Sequence, residues 1–474
     1  MMLSQLSAGA APIEITSLAY DSRSVTPGAL FFCVRGGSSD GHEHAADALA
    51  RGAVALVVER PLGLGVPEVE VPSARAAMAE MAVRFYGDPS ATLEVVGVTG
   101  TNGKTTSVFL LAGLFDAAGR QCGLLGTVKS VIGGREGPVI HTTPEAIDLQ
   151  ASFRAMLDGG DRVCAMEVSS HALAQHRVER TRFSAALFTN LTQDHLDFHD
   201  SMEAYFAAKR SLFDGELALR VINLDDGYGR RLLADHPGAV TFGLSSPAAA
   251  YGARELRFGV AGAQFVATTP DGELELSTRL PGAFNVANVL GAVATAHSMG
   301  VPLERIADAL PRIAPAPGRF QALDEGQPFT VLVDYAHTPD SLENVLRAAR
   351  SLTEGRLLSV FGCGGDRDRG KRPQMGRISA ALADVTLVTS DNPRSEDPAE
   401  IVAEILAGIT AERGEVEAII DRRAAIARAL SLARAGDVVV IAGKGHEQGQ
   451  EFAGGRKVEF DDAQVARAQL RALA

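Results

Sequence analysis

The stretch LEVVGVTGTNGKTTSVFLLAGLF, residues 93 to 115, constrains this chain more than any other. A short apolar run without alternation reads as a strand buried on both faces, and the segment after the glycines reads as an apolar-faced helix. The turn between them can surround phosphate oxygens with successive amides around Gly100 and Gly103, at a helix N-terminus. Lys104 adds mobile positive charge, and Thr105 is placed to meet an accompanying Mg²⁺. The stretch departs from G-x-x-x-x-G-K-[ST], because Val98 holds the first glycine's place. A chance Gly-Lys-Thr is the alternative, and the strand–turn–helix context argues against it. Nucleotide binding is therefore expected of Gly100, Thr101, Asn102, Gly103, Lys104, Thr105 and Thr106.

A nucleotide domain accounts for less than half of the chain. The length of 474 residues predicts about three domains. With 46% hydrophobic and 22% charged residues, the composition is that of an ordinary globular protein. A net charge of −13 argues against nucleic acid or an anionic membrane as partner, since neutralising phosphates needs clustered Lys and Arg. Cys33, Cys122, Cys164 and Cys363 lie far apart and form no C-x-x-C pair, so neither zinc nor a disulfide framework is indicated. Reduced thiols in a cytoplasmic protein are expected. The opening MMLSQLSAGAAPIEI lacks a basic segment followed by an apolar one, so no secretory signal is expected. No run approaches the roughly 18 apolar residues of a membrane span, and no membrane insertion is expected.

Residues 1–88 hold GALFFCVRG and AVALVVE, two apolar runs around the helix-like EHAADALARG, and YGDPS punctuates their end. From 89 to 314, strand-like CAMEVSS, AALFTNL and RVINLD alternate with helical stretches, which predicts a mostly parallel sheet. ELRFGV, AQFVATTP and ELELSTRL predict a short antiparallel appendage. PRIAPAPGRF cannot continue a helix and marks the next boundary. Residues 315–474 carry FTVLVDYA, LLSVFGCGGD, VTLVTSD and VVVIAGKG, each an apolar run ending in a polar or Gly-rich loop. In open α/β sheets ligands gather at such strand ends.

Three of these loops are rich in chemistry. MEVSSHALAQHRV puts Glu167 at a strand end, suited to a Mg²⁺ or simply exposed. NLTQDHLDFH packs two His and two Asp into ten residues, suited to a metal or equally to loop capping. TSDNPRSEDP stiffens its tip through Pro393, which restricts Asn392 as well. Arg394 on that tip either pairs with Glu396 or Asp397, or holds something from outside.

In this order GTNGKTT, EVSSHALAQHR, NLTQDHLDFH, AAKR, FNVANV, PGRF, DYAHTPDS, GDRDRGKRP and AGKGHE resemble the motifs of the Mur ligases of peptidoglycan synthesis. Together with DSRSVTPGALF at the front they span nearly the whole chain. The resemblance implies a three-domain α/β fold. Its parts are a small N-terminal α/β domain for the UDP end of the substrate (1–88), a central P-loop ATPase domain with a mostly parallel sheet (89–314), and a C-terminal Rossmann-like domain for the incoming amino acid (315–474). It also implies an ATP-dependent amide ligase, monomeric, that takes UDP-N-acetylmuramoyl-L-alanyl-D-glutamate, meso-diaminopimelate and ATP with Mg²⁺.

By matching motifs, Ser22 and the turn Gly37, Ser38 and Ser39 would hold the uridine nucleotide. Thr142, Thr143, Ser169, Gln175 and Arg177 would hold the muramoyl peptide. Asn285 and Asn288 would lie near adenine, with amide capping of a helix start as the structural alternative. Arg319 and Asp334 would face the nucleotide. Lys209, otherwise a surface lysine, matches a family lysine that CO₂ carbamylates, and with Thr105 and Glu167 would hold Mg²⁺. Lys104, Glu167, Lys209 and His195 would form the catalytic set. Asp391, Asn392, Pro393 and Arg394 form the DNPR motif, which in this family marks enzymes adding meso-diaminopimelate. Its distal carboxylate suits the planar fork of an arginine. Arg367, Gly443 and Glu447 would complete that pocket, with the glutamate receiving an ammonium. A related ATP-dependent amide ligase, such as the next Mur ligase or a folylpolyglutamate synthetase, and a non-catalytic nucleotide-binding scaffold are the competing readings. DNPR and DSR speak against the first, and intact Lys104, Glu167 and Lys209 against the second.

Overall fold

The computed structural model describes residues 1–36, 39–410 and 414–473. It forms two compact units, Met1–Thr99 with Gly119–Ala186 and Ala208–Leu219, and Gly100–Ala118 with Leu187–Ala207 and Arg220–Ala474.

The first unit opens with a parallel sheet ordered Ser17–Ala19, Ala29–Phe32, Ala53–Val58, Glu68–Glu70. The run LFFC is apolar without a break because both faces of its strand are covered. Leu30 and Phe32 join one cluster, with Met78 and Ala82 of the helix Ala74–Tyr86. Phe31 and Cys33 join the opposite one, with Ala45 and Ala48 of the helix Ala45–Ala50. Successive side chains point to opposite faces, so a strand buried on both sides loses its polar alternation. A second sheet in this unit runs Glu94–Thr99, Val163–Glu167, Cys122–Leu125, Ser130–Ile132, Arg135–Gly137. Its first three strands are parallel and the last two form an antiparallel extension.

In the second unit the helix Lys104–Ala117 packs on the almost wholly buried helix Ala283–Ser298. The expected appendage is an antiparallel meander of Gly252–Gly259, Gly262–Thr269 and Gly272–Thr278. The largest sheet here is ordered Gln321–Leu323, Thr330–Asp334, Val438–Ala442, Leu357–Phe361, Val385–Val388, Glu415–Ala418, parallel after its first pair. Val438 and Val440 face the helices Pro339–Ser351, Lys371–Leu382 and Pro398–Leu406, while Val439 and Ile441 face Arg422–Leu432 and Asp462–Leu473. The sheet is therefore doubly wound. The loops after Asp334, Phe361, Val388 and Ala442 all leave its carboxyl edge. Among the described residues, no helix is long and apolar enough to cross a membrane.

Candidate active site

The phosphate loop is shaped by two close approaches. A Cβ on Gly100 would stand 1.9 Å from Thr189 Oγ1, and one on Gly103 would stand 2.2 Å from Asn288 Oδ1. Both backbones also have positive φ, 152° and 85°, which glycine alone adopts without strain. The amides of Thr101 and Asn102 both donate to Asn190, to its carbonyl and its side-chain oxygen, each at 2.9 Å. In this structure these two amides brace the loop against Asn190. The anion-binding part is the helix start, where first-turn amides have no carbonyl of the helix ahead of them. Lys104 Nζ arches back to the carbonyls of Gly100 (2.9 Å) and Thr101 (2.8 Å), so its ammonium is held over that helix start. Thr105 and Thr106 are buried there.

Arg319 reaches this loop from the turn after the Pro-rich segment. Its Nη2 donates to Thr105 Oγ1 at 3.0 Å, and its guanidinium lies 4.5 Å above the Tyr335 ring. Asp334 was expected to face nucleotide, but both its oxygens accept backbone amides, Phe320 N at 2.6 Å and Ala336 N at 2.7 Å. It is a buried pin for the Arg319 turn. Burial pushes its carboxyl up against the opposing effects of Arg319 and those amides. Asn285 donates to Pro281 O at 2.8 Å, which is the helix-start role, while Asn288 sits against Gly103. Asn102 Nδ2 donates to Asp340 Oδ2 at 2.8 Å, tying the loop to the helix Pro339–Ser351.

His195, at φ 56°, lies 3.4 Å from Asp194 Oδ2, and His337 lies 3.8 Å from the same oxygen. Burial alone would raise Asp194, but the nearby His337, with the charges of His195 and Lys371, holds it well below the carboxylate range. The cluster lies between charges rather than around a metal. Among the described residues no group of three or more His, Cys, Asp or Glu is arranged to hold one.

The DNPR loop follows the strand Val385–Val388 and meets the loop after Ala442. Gly443, at φ 117°, must be glycine because a Cβ would stand 2.5 Å from Asp391 Oδ2. Arg394 pairs with neither Glu396 nor Asp397. Its Nε donates to Glu451 at 3.0 Å and its Nη1 to Gly365 O at 2.7 Å. Glu396 takes Arg372 instead, through contacts of 2.8 and 2.9 Å. The Arg372 bonds first, with the Asp366 amide and the Arg369 charge, hold Glu396 down at about 2. Asp397 caps the helix Pro398–Leu406. Arg367 donates to the neighbouring Asp366 carbonyl at 3.0 Å and lies 4.0 Å from Asp197.

Glu447 already receives an ammonium, that of Lys444, at 2.9 Å, and the Asn392 amide at 2.9 Å. Tyr335 hydroxyl donates to its other oxygen at 3.3 Å. Neither Lys444 nor Tyr335 was singled out from sequence. Lys444 sits inside the AGKGHE motif, but nothing local says that it is buried.

In the first unit Glu167 is buried, and Thr127 donates to it through N (2.8 Å) and Oγ1 (3.1 Å). Thr127 Oγ1 lies 3.1 Å from that of Thr142. Thr143 Oγ1 donates to Glu167 O at 2.8 Å and accepts Ser169 N at 3.1 Å, while Ser169 caps the helix Ser170–Ala174. Arg177 gathers Thr143 O (3.0 Å), Gln175 (2.8 Å) and Glu145 (3.1 Å). Lys209 is only 1% exposed, which excludes the surface-lysine reading. Ser22 is buried beside Asp21, and Ser39 lies 2.9 Å from His44 Nε2. Gly37 and Ser38 lie outside the described residues.

Comparison with known proteins places this geometry in a lineage. Residues 14–86 match the Mur ligase family, catalytic domain; 98–296 match the Mur ligase middle domain; 318–445 match the Mur ligase, glutamate ligase domain. A UDP-N-acetylmuramoyl-L-alanyl-D-glutamate--2,6-diaminopimelate ligase of Geobacillus thermodenitrificans (strain NG80-2) is 47% identical over 97% of this chain and 95% of its own. The ligase of that name from Solibacter usitatus (strain Ellin6076) is 46% identical over 97% and 94%. A solved structure of a ligase of that name superposes with a TM-score of 0.70 at 34% identity, covering 100% of this chain and 99% of the other. The MurF ligase of Thermotoga maritima in complex with ADP shares the fold, with a TM-score of 0.68 at 18% identity over 97% and 98%. With these spans and identities over nearly its full length, the chain belongs to the Mur ligase family.

Proposed function

We propose that this chain is the ATP-dependent ligase that adds meso-diaminopimelate to UDP-N-acetylmuramoyl-L-alanyl-D-glutamate in peptidoglycan precursor synthesis. One observation carries the reading: a continuous set of contacts leads from the phosphate loop to the DNPR loop. Thr105 meets Arg319, Arg319 stacks on Tyr335, and Tyr335 bonds Glu447, which Asn392 and Lys444 hold. A phosphate site and an amine-receiving carboxylate on one such path suit a reaction that activates an acid and then aminates it. The names of the relatives support the same substrates.

A free carboxylate is a poor acyl donor. The D-glutamyl carboxylate oxygen attacks the γ-phosphorus of ATP, ADP leaves, and an acyl phosphate remains. The amine of diaminopimelate then attacks the acyl carbon, and phosphate leaves from the tetrahedral intermediate. Lys104 and the helix start neutralise the phosphates, and catalysis is chiefly positioning and electrostatics. Asp334 fixes Arg319, and the Asp194 carboxylate orients His195 and His337. Ser22, Gly37, Ser38 and Ser39 bind the uridine end, and Thr142, Thr143, Gln175 and Arg177 the muramoyl peptide. Water is excluded by closure of the domains, read as 1–88, 89–314 and 315–474, a division the matched spans support.

Glu167, Thr105 and Lys209 are oxygen donors fit for Mg²⁺ only if Lys209 carries a carbamate, since an ammonium has the wrong sign. The burial of Lys209, at 1% exposure, supports a role inside the site rather than at the surface. Bound there, Mg²⁺ would offset charge on the transferring phosphoryl group. The four cysteines are buried, which suits a reducing cytoplasmic setting, and we read the protein as a monomer.

The direct test is phosphate release from ATP, which should require both the nucleotide dipeptide and meso-diaminopimelate. Release that is indifferent to the amino acid would refute the reading. Arg394 should set the specificity. Its Nε and Nη1 are committed to Glu451 and Gly365, which fixes the guanidinium plane; among the described residues Nη2 has no such partner. Arg394→Ala should raise KM for meso-diaminopimelate roughly tenfold to over a hundredfold, the cost of one charge-assisted contact. KM for ATP should stay near wild type, and Arg394→Lys should recover only part. If the Glu451 pair is the residue's whole role, the melting temperature falls and selectivity does not change.

A further inference from the structure

Lys444 is fully buried between two glycines of the loop after Ala442, and its surroundings explain a carboxamide as well as a carboxylate. Its Nζ donates to Asn392 Oδ1 at 2.9 Å and to Glu447 Oε2 at 2.9 Å, with Asp391 Oδ1 at 3.8 Å. Asn392 Nδ2 donates to the same Glu447 oxygen at 2.9 Å. The polarity of this triangle is forced. An ammonium only donates and a carboxylate only accepts, so the amide oxygen must face Lys444 and its nitrogen Glu447. The amide oxygen also accepts Glu451 N at 3.0 Å, and Glu451 is the partner of Arg394. One carboxamide thus joins the end that meets a carboxylate to the end that meets an amine.

We propose that Lys444 is a positioning residue of the amino-acid site: its ammonium orients Asn392 and presents Glu447, through Oε1, to the ammonium of the incoming amino acid. The inference rests on the ligase reading above. Oε2 is filled by Lys444 and Asn392, whereas among the described residues Oε1 has only the long 3.3 Å contact from Tyr335. Burial by itself would push Glu447 up. The field and hydrogen bond of Lys444, then the Asn392 bond and the His337 charge, outweigh it and hold the carboxyl below its usual range. The charged and titratable groups that face it are Lys444, His337, Tyr335, Asp391 and Arg422. Of these, Lys444 has the largest opposing effect.

Steady-state kinetics on the full chain, with KM for each substrate followed against pH, test this with Lys444→Met, Lys444→Arg, Glu447→Gln and the double variant Lys444→Met/Glu447→Gln. Lys444→Met should raise KM for meso-diaminopimelate roughly tenfold to a hundredfold, the cost of a misplaced charge-assisted contact. KM for ATP and kcat at saturation should stay close to wild type. Without the ammonium, Glu447 protonates at higher pH, so the KM penalty should grow as pH falls; Glu447→Gln should show a penalty without that slope. Lys444→Arg should restore part of the affinity. In the Glu447→Gln background Lys444→Met should add little, because both act through one carboxylate. The double variant removes the buried charges together, so it remains testable where the single variant does not fold. A wild-type KM and pH profile in Lys444→Met would overturn the proposal. So would a further tenfold rise on adding Lys444→Met to Glu447→Gln. Failure of wild type to release phosphate with diaminopimelate would instead defeat the ligase reading.

Discussion

Lys104→Ala should lose phosphoryl transfer while keeping its affinity for the UDP substrate. The ammonium is held by the carbonyls of Gly100 and Thr101 at 2.9 and 2.8 Å, so its charge is already in place when phosphates arrive. Preorganised charge of this kind accounts for roughly 10²–10³-fold in rate per group, and a group serving two phosphates should reach the upper end. The groups proposed for the UDP substrate, Ser22, Thr142, Gln175 and Arg177, belong to the other compact unit and bond among their own neighbours. Binding of the nucleotide dipeptide, followed by calorimetry without ATP, should therefore remain near wild type. Equal loss of turnover and of dipeptide affinity would contradict that division of labour.

Lys209→Ala should be inactive as well, for a different reason. A lysine 1% exposed is held where an ammonium is poorly solvated, in the last turn of the helix Met202–Arg210. The proposed carbamate would turn that position from a cation into an oxygen donor. Activity should fall by more than the roughly 10–100-fold that loss of an outer-sphere metal partner costs. Added bicarbonate should not restore it, because no amine remains to react. A short carboxylate such as formate should restore part, since it can stand in for the carbamate oxygens. Turnover at the wild-type rate in Lys209→Ala would remove the residue from the catalytic set.

The strands were legible because burial on both faces writes an unbroken apolar run. FTVLVDYA, LLSVFGCGGD, VTLVTSD and VVVIAGKG became four neighbouring parallel strands, and alternation marked the antiparallel meander. Local pattern reached the site only where chemistry is local, as in the phosphate loop. It left Arg394 open between the acids two and three residues away and something from outside, and the structure pairs it with neither acid. The observed partner, Glu451, is brought in by the hairpin Gln450–Phe452 and Arg456–Val458, 57 residues on. Asp334, assigned to the nucleotide by resemblance alone, has each oxygen bonded to a backbone amide, Phe320 N and Ala336 N. Its oxygens are filled because Phe320, at φ 47°, turns its amide inward. Lys444 was invisible because burial of a lysine depends on where Asn392 arrives from, 52 residues away in sequence. Such contacts are long-range, and no periodicity records them.

The most direct measurement offers the wild-type protein, with ATP and the nucleotide dipeptide, an equal mixture of labelled meso-diaminopimelate and L-lysine. Lysine lacks the distal carboxylate and would leave the Arg394 guanidinium without its ligand in a closed site, a loss on the order of 1.5–3 kcal/mol. Product carrying diaminopimelate almost exclusively, with that preference collapsing in Arg394→Ala, is the predicted result. Equal incorporation of both amino acids, or a preference unchanged in Arg394→Ala, would contradict it.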